Sequence, residues 1–125
     1  MPPGLRKNVQ VLDPKLCFDL WVKYGSVYTV SEVLYKEHGI YNTNTGRPVT
    51  HMGVWDSAWR YILNNLPEAR EKLNDSWKNE GKILTDAIWF PMVIDRARRI
   101  YSDGKFRNLL RQHPYLTPYI NAKQE

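Results

Sequence analysis

The sequence predicts an all-α domain: a helix-turn-helix-like tri-helical core followed by two or three further helices. Three observations predict it. Apolar residues recur at helical spacing through most of the chain, a period that strands do not show. Helix starts and stops punctuate that pattern at Asp13-Pro14, Gly25, Thr29, Gly39, Thr50 and Pro67, residue types that free a helix end from its unsatisfied backbone groups. Finally, 125 residues that are 42% hydrophobic and 13% aromatic supply one compact domain but not two independent cores.

The first helix is expected over 14–24. Asp13 caps it, Pro14 takes the first helical position, and Leu16, Phe18, Leu20, Trp21 and Tyr24 feed the core up to Gly25. Thr29-Val30-Ser31-Glu32 reads as a capping box opening a second helix over 30–38, which His38-Gly39 ends before Ile40 re-enters the core. Turn formers fill residues 41–49, with a small hairpin tip at Asn44 to Gly46 compatible with them. Thr50 then caps a third helix over 51–64, apolar at Val54, Trp55, Ala58, Trp59 and Ile62.

Beyond Pro67 a helix with acids in its first turn is expected to reach Asn79 or Glu80 before Gly81, with Leu73 and Trp77 inward. Pro91 predicts a break or kink and a fresh helix start, because proline removes a backbone donor and crowds the preceding turn. Val93, Ala97, Ile100 and Tyr101 line that helix, leaving Arg96 and Arg99 together on another side. Ser102-Asp103-Gly104 should separate it from a last helix, Lys105 to Gln112, and Pro114 and Pro118 keep the segment after that helix irregular. Residues 1–11 and 121–125 read as flexible ends.

The net charge is +5, and its placement says more than its size. Arg96, Arg98, Arg99, Lys105, Arg107 and Arg111 face one acid, Asp103, in sixteen residues, while the 12 cations and 12 acids elsewhere cancel. A polyanion is drawn to that stretch first. On the third helix, residues about 100° apart place Thr50, Gly53, Ser57, Arg60 and Asn64 opposite the apolar sector. Small residues there let a backbone approach a groove, Arg60 can fork onto guanine and Asn64 suits adenine. Arg47 and His51 lie at the leading edge of the same helix. Asp56 beside the stripe opposes DNA, and a solvated amphipathic face has the same pattern.

Ser31-Glu32-Val33-Leu34, Gly39-Ile40, Thr45-Gly46-Arg47-Pro48-Val49-Thr50, Val54 and Ile62-Leu63-Asn64 together resemble the helix-turn-helix region of serine recombinases and related phage or mobile-element DNA-binding proteins. The resemblance implies a DNA-binding role, in which Thr50, Ser57 and Arg60 match positions that touch DNA. These 125 residues hold no counterpart of the recombinase catalytic domain, so recombination chemistry is not implied.

No enzymatic constellation is expected. His38, His51 and His113 are scattered, Glu68 and Glu71 sit where acids complement a helix dipole, and Cys17, Ser26 and Ser57 have no evident base. No cofactor or metal is called for. A single cysteine rules out an internal disulfide framework, and the start Met1-Pro2-Pro3-Gly4 lacks a hydrophobic signal segment. A soluble cytoplasmic protein is the expectation. Trp21, Trp55, Trp59 and Trp77 fall at inward positions, whereas Trp89-Phe90 beside Pro91 reads as an exposed patch for a protein partner or a second copy. The expectation is therefore a non-enzymatic binder of duplex DNA, a regulator or packaging component. Arg96, Arg99, Lys105, Arg107 and Arg111 would hold phosphates, and Ser57 and Arg60 would supply any sequence preference. A helical adaptor acting through protein contacts and an RNA binder stand as alternatives.

Overall fold

A computed structural model describes residues 12–78, 81 and 84–120. The expected flexible ends and the helix end near Asn79 or Glu80 lie outside them. Among the described residues the fold is all-α, without strands. Its helices are α1 (Pro14–Tyr24), α2 (Val27–His38), α3 (His51–Asn64), α4 (Leu66–Trp77), α5 (Asp86–Ile100) and α6 (Asp103–Gln112), with a 3₁₀ segment, Pro114–Tyr119, after them. The chain divides into two compact units, residues 1–62 and 63–125, the division falling in the last turn of α3.

In the first unit, α1 starts as its Asp-Pro pair dictates, the Asp13 carboxylate accepting from the Lys15 N–H at 3.0 Å. Gly25 ends it at φ 75°, a left-handed conformation that glycine alone adopts without steric cost. The next helix begins earlier than a capping box at Thr29 would have it. Ser26, extended at φ −141°, is the cap, its hydroxyl accepting from the Thr29 N–H at 3.5 Å, and Thr29 and Glu32 lie inside α2. The reason is local: the chain leaves Gly25 ready to turn, and a serine stands there to satisfy the next free N–H groups one turn sooner. Gly39, at φ 64°, closes α2, and the Ile40 N–H donates to the Leu34 carbonyl at 2.8 Å.

A hairpin tip comes next. Asn42 and Arg47 form an antiparallel bridge, the Asn42 carbonyl receives the Gly46 N–H at 2.8 Å, and the Asn42 side chain receives the Asn44 N–H at 2.9 Å. Thr50 caps α3 by accepting from the Gly53 N–H at 3.1 Å. The core gathers Cys17, Phe18, Leu20 and Trp21 from α1, Val30, Val33 and Leu34 from α2, Val49, and Val54, Ala58, Trp59 and Ile62 from α3.

In the second unit, Leu66, Ala69 and Leu73 of α4 and Trp89, Val93, Ile94 and Ala97 of α5 are buried with Leu63, Leu84, Leu109 and Leu116. The Asn74 side chain accepts from the Leu84 N–H at 2.9 Å, and Arg70 donates to the Leu84 carbonyl at 2.9 Å, so the segment before α5 is tied back to α4. Pro91 does not break α5, which runs through it from Asp86 to Ile100. The hydrogen bond a proline forfeits here would have ended on the Ala87 carbonyl, and Ala87 is exposed, so water can take that acceptor. The last helix likewise starts earlier than expected, at Asp103, with Gly104 inside it.

Candidate nucleic-acid interface

The leading edge of α3 is built by its neighbours. The Ser31 hydroxyl of α2 donates to the Val49 carbonyl, one residue before the Thr50 cap. Ser31 is buried, so this bond fixes the entry to α3 where water does not compete for it. Tyr28 of α2, 63% exposed, sets its ring 4.6 Å from the His51 imidazole. Arg47 on the hairpin tip, Thr50, His51 and Arg60 are all exposed. Of the contacts predicted around α3, these four are the ones that the structure leaves open to a ligand.

The rest of the predicted stripe is engaged elsewhere. Ser57 is half-buried and hydrogen-bonds Cys17 of α1. Leu12 lies 3.8 Å from where a Cβ on Gly53 would stand, and Phe18 stacks on Tyr61 at 4.8 Å. The Gly53, Ser57 and Tyr61 side of α3 thus receives α1 and the residue that leads into it, which overturns Ser57 as an outward base reader. The cause is that a helix packed on two sides has a narrower free face than its apolar sector alone implies. Asn64 is exposed but accepts a 3.2 Å bond from the Tyr101 hydroxyl.

In the second unit the cations divide. Arg96 is half-buried and engaged, Arg99 lies 3.6 Å from Asp95 one turn earlier, and Arg98 donates to the Ile120 carbonyl at 3.3 Å with its guanidinium 5.5 Å from the Phe106 ring. On α6, Phe106, Leu109 and Leu110 turn inward, leaving Lys105, Arg107 and Arg111 exposed. Arg107 and Arg111, four apart, share one side of that helix. Among the described residues no carboxylate pairs with these three. The freest positive charge of the predicted stretch is on α6, with Arg96 the least available.

Trp89 is not part of an exposed patch. It is 2% exposed, because an unbroken helix through Pro91 keeps Trp89 in phase with Val93 and Ala97 on the buried side. Phe90 is half-buried against Tyr115 at 5.3 Å and Tyr119 at 4.9 Å. Beside it the Arg70 guanidinium meets the Asp86 carboxylate at 2.6 Å, a pair sixteen positions apart with no local sequence signal. Burial pushes the Tyr115 phenol up, against the pull of Arg70, and pushes His113, 3.1 Å from the Tyr115 hydroxyl, down.

His38 ends α2, His51 starts α3 and His113 comes directly after α6, while Glu68 and Glu71 are exposed on α4. Among the described residues, no three His, Cys, Asp or Glu side chains gather as a metal would require, and no helix is long and apolar enough to cross a membrane. No family model, curated protein or solved structure matches the chain.

Proposed function

We propose that this protein is a non-enzymatic binder of duplex DNA. Its affinity would come from the outer face of α6 and its sequence preference from the exposed residues of α3, the leading edge and Arg60 further along. The observation that carries the reading is the exposure of Lys105, Arg107 and Arg111 on α6 without a pairing carboxylate among the described residues, within the stretch that holds the whole positive excess. Exposed cations can neutralise phosphates and release the counterions condensed on DNA, which is the sequence-independent part of DNA binding. The capped start of α3, with Arg47, Thr50 and His51 exposed around it, supports the second role, since the first turns of a recognition helix are what reach base edges. The recombinase-like pattern over 31–64 supports a phage or mobile-element setting, as a regulator or packaging component.

The test is fluorescence anisotropy of random-sequence duplex DNA across a salt series. Affinity should fall steeply with salt. Absence of binding even at low salt would sink the reading. A second reading, docking of a protein partner, is favoured by one observation: Tyr28, Tyr35, Tyr41 and Met52 are 63%, 42%, 38% and 55% exposed in the first unit. A partner contact centred on these residues, without DNA affinity, would select it.

A further inference from the structure

The second unit also contains a cleft of about 290 Å³ between the start of α4, the first turns of α5 and the 3₁₀ segment. Trp89, Phe90, Tyr115 and Pro67 line it, and the Phe90 and Tyr115 rings pack on each other, 5.3 Å apart at 50°, so that neither opens a gap for a ring between them. Tyr115 is 45% exposed, so its ring is open to solvent as well as to the cleft. A cleft of this size is at the small end of ligand sites and fits one planar ring system laid against Tyr115.

Its polar groups narrow the chemistry. The Arg70 guanidinium is already committed, to Asp86 at 2.6 Å and to the Leu84 carbonyl at 2.9 Å, and lies 5.8 Å from the Phe90 ring. The Asp86 side chain is 60% exposed, and a carboxylate with one charged partner keeps accepting capacity. A phosphate placed in the cleft would meet that carboxylate, whereas a flat ring with N–H donors on its edge would satisfy it. The phosphates have their own place nearby in the chain: Arg111 sits in the last turn of α6, and the segment carrying Tyr115 begins two residues after that helix ends. Aromatic slots that stack a base and read its edge are the usual means of recognising unpaired nucleotides.

We infer that this cleft holds one unpaired nucleobase, stacked on the open face of Tyr115 beside Phe90 with its donor edge on Asp86. Guanine is favoured because its Watson–Crick edge offers two adjacent N–H donors to one carboxylate. The inference rests on the nucleic-acid reading and adds to it a second ligand form, a single-stranded or locally opened segment.

The experiment uses the full chain with three labelled probes: a ten-nucleotide single strand of thymidines, the same strand with one central guanosine, and a random duplex. The wild type should prefer the guanosine strand by about tenfold. Asp86→Asn should abolish that preference, and Tyr115→Ala should weaken both single strands by about tenfold. Tyr115→Phe, which keeps the stacking ring, should restore binding, and duplex affinity with its salt slope should stay as in the wild type throughout. Single-strand binding indifferent to both Asp86→Asn and Tyr115→Ala, with duplex binding intact, would overturn the cleft and leave the duplex reading standing. No binding of any probe by the wild type would remove both.

Discussion

Two residues do more than their size suggests. Ser31 is a small polar side chain inside the core, and its bond to the Val49 carbonyl is what ties α2 to the entry of α3. Ser31→Ala leaves that carbonyl unpaired and should cost about 1–2 kcal/mol, read as a lower midpoint in urea; an unchanged midpoint would mean that water replaces the hydroxyl without loss. Cys17 is fully buried, and burial pushes its thiol from 9.0 to about 11, although its bond from Ser57 pulls the other way. The native fold therefore favours the neutral thiol. Its contribution to stability is complete below pH 9 and should be lost as pH rises toward about 11. Cys17 should also resist a disulfide reagent until the protein is unfolded, and rapid native-state reaction would show that the site opens. Much of this scale is legible in the sequence: Asp13, Gly25, Gly39 and Thr50 cap as their residue types dictate. Ser26 is not, because Ser26 and Thr29 offer the same capping chemistry three residues apart and only the path leaving Gly25 selects between them.

Among the helices, α6 is the one whose inward and outward residues divide as its periodicity predicts. Three inward residues hold it, and its exposed surface carries Lys105, Arg107 and Arg111, which no carboxylate pairs among the described residues. Replacing Arg107 and Arg111 by Ala should weaken binding to every duplex and reduce the salt slope by about two, near 0.9 for each phosphate no longer neutralised. A slope that stays at the wild-type value would take α6 out of the interface. Helix α5 is less legible. The proline rule predicts interruption, yet it concerns one missing donor and one crowded carbonyl, and where that carbonyl is exposed the helix continues. The expected exposure of Trp89 fails with it, since only a broken helix would reset the phase that buries this side chain. Ser57 escapes sequence reasoning for a different cause. Periodicity distinguishes an apolar side from a polar one but cannot say that α1 packs beside the polar side.

Across the whole molecule the two surfaces are expected to differ in what they control. Arg60→Ala should relax discrimination among duplex sequences by about 1–3 kcal/mol at one base position while moving the salt slope by about one at most, in contrast to the α6 double variant, which should leave relative sequence preference intact. The same loss of slope and preference from both variants would mean a single contact surface rather than two. The charge asymmetry is readable from the sequence because it is a property of composition along the chain. The cleft is not, because Arg70 and Asp86 meet only after α4 and α5 have folded against each other.

The missing amide of Pro91 has a kinetic consequence. One rung of the α5 ladder, the bond that would end on the Ala87 carbonyl, is missing near its start, so the leading segment, 86–90, is held by fewer backbone bonds than the remainder. Amide exchange should divide the helix there, with faster exchange before Pro91 than from Ile94 to Ile100. Asp86 and Phe90 would lie on the faster side and Arg98 and Arg99 on the slower, so that fraying of the α5 edge of the cleft would not require the charged stretch to unfold.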